Sequence, residues 1–382
     1  MPFASALSEH PIASQATGEV TGAVLEAIGD CPDLVMVMAT RAHAGALEDI
    51  AGTVSAVLHP LVVMGSAVES AVGTGREVGG TPALSLWAGR VGPLARVVLR
   101  ATRLADDSWH FAGWPDRLGF EPTALVLLAD PFTFPAGEFL RWLAEVQPGL
   151  PVVGGNASGG KGPGGSRLLV GDRVVTTGAV GVLIGSGVDL HTIVSQGGRG
   201  YGDSLTVTRS DRNVIHEVAG VPAMECMVGQ IRDNLEPAEI AGIESNGLLL
   251  GRLIDEYLVE PGPGDFLIRN VVGVDRTTGA VAVDDRVPLG STVRVHLRDD
   301  RTAHHELDHL LQGQRADAAM LFNCNGRGAE FFDMAHHDAM ALQRAFGPVP
   351  LGGCTTTAEI GPVGGQNFVH GFSATAALFR DR

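Results

Sequence analysis

The sequence predicts an α/β protein of mixed sheets, built from repeated β-α-β-β units in two packed halves. Three observations lead there. A strand–helix–strand–strand pattern recurs three times, and each copy takes about 30 residues from its first strand to the small-residue turn after its second, the size of a βαβ unit. The first strand of each copy is a continuous apolar run, as expected where a sheet is covered on both faces. Glycine is abundant, at 52 of 382 residues, and aromatic residues make up only 5%, a mix suited to tight turns and small-residue strand ends.

The first copy opens with the apolar strand DLVMVMAT (33–40). The helix GALEDIAGTVSAVLH (45–59) follows, then LVVMGSAVES (61–70), a strand ending in small residues, and the outer strand PALSLWAGRV (82–91). The second copy reads ALVLLAD (124–130), the helix AGEFLRWLAEVQ (136–147), PVVGGNASGG (151–160) and GAVGVLIGSG (178–187). The third reads AAMLFNCNGRG (318–328), a helix over 329–346, VPLGGCTTTAEIGPVGG (349–365) and FVHGFSATAALF (368–379). Between the second and third copies the pattern changes. Residues 191–220 alternate and turn like antiparallel β structure, 221–235 read as a helix, and 265–299 read as hairpins turning at Thr278-Gly279 and Leu289-Gly290. A last helix runs from Thr302 to a Gly313 cap.

A chain of 382 residues suffices for two or three core-forming units. Apolar residues are 45% and charged ones 18%, which argues against disorder. The formal charge of −16 repels phosphate backbones and anionic lipid surfaces, so neither nucleic acid nor a membrane is an expected partner. No apolar run reaches the roughly 18 residues of a membrane span. Four dispersed cysteines without a C-x-x-C pair fit a reducing compartment. The N-terminus lacks a basic and then apolar leader. A soluble cytoplasmic protein is expected.

Two motifs mimic known sites. Residues 304–309, HHELDH, contain H-E-x-x-H from His305, the zinc-protease spacing. On a helical wheel Ala303, Leu307, Leu310 and Leu311 form the apolar face, and His305 and His309 point almost opposite, beside Asp308. Gln312 stands where the extended motif requires glycine. The match is read as an accident of composition on a solvated face, with zinc as a weaker alternative. GNASGGKG (155–162) satisfies G-x-x-x-x-G-K but offers Gly162 in place of the magnesium-binding hydroxyl, and the following Pro163 does not open a phosphate-holding helix. It is read as a glycine-rich loop.

In open α/β sheets ligands sit at the carboxyl ends of strands. Here those ends carry Gly65 and Ser66, Gly155 and Asn156, Asn323, Cys324, Asn325 and Arg327, and Cys354, Thr355 and Glu359. Brought together, they line one polar pocket; kept apart, the small residues only permit close turns. Arg327 between two glycines suits a bidentate grip on a carboxylate, or else a salt bridge to Glu330 or Glu359. Glu359 suits a ligand ammonium, or else holds Arg327 or caps a turn. Asn323 and Asn325 suit amide recognition or local turn bonding. Cys324 with His370 as base is the one arrangement for nucleophilic catalysis, against a cysteine packed as a small hydrophobe. His336 and His337, in the predicted eighteen-residue helix, are haem ligands or straddle a boundary between core and water.

The run FNCNGRG, then a helix, then PLGGCTTTAEIGPVGGQNFVHGFSATAALF, resembles the C-terminal half of the FIST family. PLGSTVRVHLRDDRTAHHELDHLL and SLTVTRSDRNVIHEVAGVPAMECM resemble its middle, and PDLVMVMAT, GREVGG and PALSLWAG its N-terminal half. The resemblance spans about Asp33 to Phe379. It implies a FIST N-like domain over 31–215 and a FIST C-like domain over 216–382, after an N-terminal extension over 1–30. It implies a cytoplasmic sensory protein that binds a small ligand, an amino acid or similar metabolite, with haem carried by some members. The reading favours a non-catalytic sensor without a cofactor, with an enzyme using Cys324 and His370 as the alternative. With no output domain evident in the chain, signalling is expected through a separate protein partner. Two departures stand out. Where relatives often carry C-R-P, this chain has Gly198-Arg199-Gly200, and where they carry an aromatic pair it has CTTT (354–357), which suits a more polar ligand.

Overall fold

A computed structural model describes residues 2–262 and 264–382. The three sequence copies fold as three versions of one motif. In each, the first strand lies between a parallel second strand and an antiparallel third. Leu34–Thr40 sits between Val62–Val68 and Leu84–Gly89. Ala124–Ala129 sits between Val152–Ala157 and Ala179–Ile184. Ala318–Cys324 sits between Leu351–Val363 and Ala374–Arg380.

One glycine marks the repeat. The fourth residue of each first strand faces glycine on the second: Val37 faces Gly65, Leu127 faces Gly154 and Leu321 faces Gly353. A Cβ at any of the three would lie 1.8, 1.9 and 1.9 Å from the facing carbonyl oxygen. Gly154 and Gly353 also hold φ of 146° and 133°, which other residues rarely adopt. The backbones approach too closely there for any side chain.

The first copy builds a six-stranded sheet, and the second and third share a twelve-stranded one. The latter two join where their second strands run antiparallel, Gly154 facing Ile360 and Gly155 facing Glu359. Across that join the strands read third, first, second, second, first, third. A hairpin, Ser70–Gly73 with Arg76–Gly79, leaves the first copy and pairs with the third at Ala71 and Cys354. The continuous apolar runs are explained by this stacking. Met36, Met38, Trp87, Val126, Phe322 and Phe379 fill the space between the two sheets. Alternate residues Val35, Val37 and Ala39 face helices Ala13–Ile28 and Leu47–Leu58, and Leu125, Leu127 and Ala129 face helix Ala136–Val146.

The chain separates into two compact units, Met1–Val194 with Leu310–Arg382, and Ser195–His309. The smaller unit is an antiparallel sheet of seven strands. The long strand Gly198–Asp211 pairs with Thr292–Arg298 through its first part and with Val214–Val218 through its last, so the sheet closes on itself. Its interior holds Val207, Leu250, Val281, Val293 and Val295, plugged by Ala223 and Met227 of helix Ala223–Asn234. The predicted turns at Gly279 and Gly290 have φ of 72° and 87°.

Four expectations change. Residues 1–30 are no mere extension: Phe3–Ser8 pairs with Leu84–Gly89, and helix Ala13–Ile28 buries Ala16, Val20 and Val24 on the sheet. The helix expected over 329–346 is two, Ala329–Phe332 and His337–Phe346, separated by left-handed Asp333 and His336. The strand expected over 368–379 breaks at Phe372, whose φ is 64°. Helix Pro237–Asn246 and strand Leu248–Leu253 fill a stretch that sequence patterning left unread. Among the described residues no helix is long and apolar enough to cross a membrane.

Candidate functional site

In the larger unit the strand ends of all three copies meet. Ser158 Oγ donates to the Thr355 carbonyl at 2.7 Å and accepts from Glu69 N–H at 2.9 Å. Ser70 N–H donates to Thr355 Oγ1 at 3.1 Å. Asn156 faces Ala358, and a Cβ on Gly155 would lie 2.7 Å from the Thr356 side chain. The exposed Asn325 joins through its N–H to the Thr356 carbonyl, 3.1 Å. Cys354 is buried in the core, where burial first and Glu359 second push its thiol up. Gly65 and Ser66 stay apart in the six-stranded sheet, Gly65 against Val37 and Ser66 Oγ by the Ala67 and Arg167 carbonyls at 2.8 and 3.2 Å.

Arg327 and Glu359 are both buried, and each has protein partners. Arg327 grips Asp338 with two parallel bonds, Nε to Oδ2 at 2.9 Å and Nη2 to Oδ1 at 2.8 Å. Asp338 also accepts from Asn323 Nδ2 at 3.1 Å and lies 2.9 Å from His337 Nδ1. Asn323 Nδ2 reaches Glu77 as well, at 2.9 Å, and Glu77 accepts the Ala339 N–H at 3.0 Å. Burial pushes the Asp338 carboxyl up, but the Arg327 charge and its hydrogen bonds more than reverse this and hold it well below the usual range. Glu77 is held up, by burial first and by Asp338 second. Glu359 accepts from Thr356 Oγ1 at 2.7 Å and from Ser373 N–H and Oγ at 2.8 and 2.9 Å. Burial still pushes its carboxyl up to about 7.

Sequence reasoning named Glu330 and Glu359 as partners for Arg327 and missed Asp338. The reason is the helix break. In one continuous helix the eleven residues from 327 to 338 would separate the pair by about 16 Å along the axis. The left-handed residues Asp333 and His336 fold the chain back and deliver Asp338 at the start of the second helix.

The remaining candidates have defined surroundings. Cys324 is half-buried and its sulfur accepts the Gly326 N–H at 3.4 Å. His370 is buried with Nε2 at 3.0 Å from the Gly361 carbonyl. His336 Nδ1 accepts the Glu77 N–H at 3.1 Å. His337 is 3% exposed, with the Phe332 ring stacked 3.5 Å away and Nδ1 on Asp338. That packing does not fit an axial haem ligand, which must present a ring nitrogen to a porphyrin. His305 and His309 are exposed, and Ala303, Leu307 and Leu311 are buried. Among the described residues no group of three His, Cys, Asp or Glu side chains could hold a metal ion.

The smaller unit holds a cavity of about 190 Å³ for which sequence reasoning had no candidate. Its walls are Gly198-Arg199-Gly200, Pro261, Gly262 and Gly264, Phe266 and Ile268, the strand residues Arg294 and His296, and Thr302 and Glu306 of helix Asp300–Leu311. Glu306, the glutamate of the zinc-like motif, accepts Ser195 Oγ at 2.8 Å and the Gly197 N–H at 2.7 Å. Gln196 bridges the Phe266 carbonyl and Ile268 N–H at 2.8 and 3.0 Å. His296 lies 5.2 Å from the Phe266 ring, and burial pushes its imidazole down to about 4, so it is neutral at neutral pH. Arg199 pairs with Glu239 at 2.5 Å and Asp299 at 3.0 Å. Arg294 Nε is buried and has no hydrogen-bond partner.

Two glycines keep this space open. A Cβ on Gly198 would come within 3.2 Å of Ile268, and one on Gly200 within 3.1 Å of His296. These are the positions where C-R-P gives way to Gly-Arg-Gly, so that departure was the one legible signal of the cavity.

Comparison with known proteins agrees with the resemblance. The FIST N domain matches residues 33–221 and the FIST C domain residues 223–362. The chain is 33% identical over 386 residues to uncharacterized protein Rv0628c of Mycobacterium tuberculosis, covering 98% of each chain. It is 34% identical over 381 residues to uncharacterized protein Mb0898c of Mycobacterium bovis, covering 97% of each.

Proposed function

This chain belongs to the FIST family, and we propose that it is a cytoplasmic sensory protein that binds one small polar ligand, an amino acid or similar metabolite, and signals through a protein partner. The observation that carries this reading is the cavity of about 190 Å³ in the smaller unit. It has room for about six waters at liquid density, the size of a compact metabolite. Its walls mix an apolar floor, Phe266 and Ile268, with a few polar groups, the usual composition of a ligand site. None of those groups forms a nucleophile–base pair, which favours binding over turnover.

A thermal-shift screen against amino acids and other small metabolites tests it. A ligand of the native state raises the melting temperature by mass action. Gly198→Leu, which fills the cavity, is expected to abolish the shift. A shift that survives this substitution places the ligand elsewhere.

One observation favours a second location, the strand ends of the larger unit. Asn156 Oδ1 and Asn323 Oδ1 are buried there without partners. Ligand N–H groups would satisfy both. A ligand-induced shift that survives Gly198→Leu and is lost in Asn156→Ala selects this site.

A further inference from the structure

Resting on the cavity reading, we infer that the smaller unit is built to hold a ligand carboxylate, with Arg294 as the residue that grips it. Four charged or titratable side chains line the cavity, and three are accounted for. Arg199 is neutralised by Glu239 and Asp299. Glu306 receives a hydroxyl and an amide. His296 is neutral and its Nδ1 lies 3.0 Å from the Arg294 carbonyl. Arg294 differs: it stands on the cavity wall, and its Nε has no acceptor among the described residues. A strand position that keeps a guanidinium on a cavity wall with no carboxylate to meet it is explained when an acceptor arrives from outside the chain.

The two terminal nitrogens of the guanidinium offer parallel N–H groups, a geometry that matches a carboxylate. One uncompensated positive charge matches one carboxylate. A phosphate monoester, near two negative charges, meets roughly twice the repulsion from a protein of −16 net charge. The neutral imidazole of His296 and the apolar floor of Phe266 and Ile268 favour a ligand whose remaining atoms are uncharged. The ligand class is therefore a compact monocarboxylate.

The test uses the full chain and paired probes: propionate and benzoate, each against its own amide, with glycerol phosphate as the competing anion, followed by calorimetry and thermal shift. Carboxylates are expected to bind and their amides to bind at least tenfold more weakly. Arg294→Gln is expected to weaken carboxylate binding roughly tenfold to hundredfold, and Arg294→Lys, which keeps the charge and loses the fork, by less. Amides that bind as tightly as the acids, with a shift abolished by Gly198→Leu, would overturn the carboxylate assignment and leave the cavity reading standing. Preference for glycerol phosphate overturns the carboxylate class as well. If neither these probes nor the metabolites of the broader screen bind in a way that Gly198→Leu abolishes, both the assignment and the cavity reading fail. Should Arg294→Gln not fold, the acid-against-amide comparison on the unaltered chain decides.

Discussion

Arg327 and Arg294 each hold a guanidinium nitrogen away from water, and their surroundings differ. Arg327 in the larger unit makes a two-pronged bond with a buried aspartate, inside a knot that also takes in Asn323, Glu77 and His337. Arg294 in the smaller unit lines a cavity with Nε unanswered. The first arrangement finds its carboxylate within the chain and serves the fold. The second has no carboxylate within the chain, and the cavity beside it leaves room for one from outside. A buried polar group is a structural element when its partners come with the fold and a candidate functional element when they do not.

The comparison breaks most sharply under truncation. Arg327→Ala leaves Asp338 ionisable and buried beside Glu77, and is expected to cost about 3–5 kcal/mol in denaturant unfolding. A loss below about 1 kcal/mol would mean the knot is looser than its distances state. Next in size is the repeat glycine. Gly353→Ala sets a Cβ 1.9 Å from the Leu321 carbonyl oxygen at a φ of 133°, and about 2–4 kcal/mol of destabilisation is expected.

The pH dependence of the two units should differ in sign, by about 3 kcal/mol in each case. Glu359 is raised from 4.5 to about 7, so the folded state keeps a proton that the unfolded chain releases. The larger unit is most stable below about pH 4.5 on this account and loses stability as pH rises through about 7. Glu359→Gln removes that slope. His296 is depressed from 6.5 to about 4, so the unfolded chain takes up the proton first. The smaller unit keeps its stability above about pH 6.5 and loses it as pH falls through about 4, and His296→Phe flattens the curve. Hydrogen exchange read separately over each unit resolves the two slopes; parallel slopes contradict the burial of one group or the other. The smallest effect is expected at Arg294, where Gln should change unliganded stability by no more than about 0.5 kcal/mol, because no bond within the chain is lost.

Much of the architecture is legible in the sequence. The three copies, their unbroken apolar first strands and the small residues at the ends of the second strands all rest on local patterning, and each places its strand within a few residues. The exposure of His305 and His309 also follows from one helical wheel. The candidate site was less legible. Asn323, Arg327 and Glu359 stood out by type, but their partners did not. Asp338 was hidden by a helix break that needs left-handed backbone at Asp333 and His336, residue types that adopt it more often than most but still in a small minority of cases. The cavity left one trace, Gly198 and Gly200, recognisable only as a departure.

The sequence by itself determined the repeated unit, because strand burial on two faces demands a run of apolar residues wherever it occurs. It determined the close strand approach too, because only glycine survives with a carbonyl oxygen less than 2 Å from where a Cβ would stand. Only the tertiary structure decided which charges meet. Glu77 and Ala339 are 262 residues apart, and Arg294 draws its neighbours from strands and a helix that share no local pattern. A charge carries no record of its partner along the chain, so that Arg327 meets a carboxylate and Arg294 a cavity was set when the sheets folded.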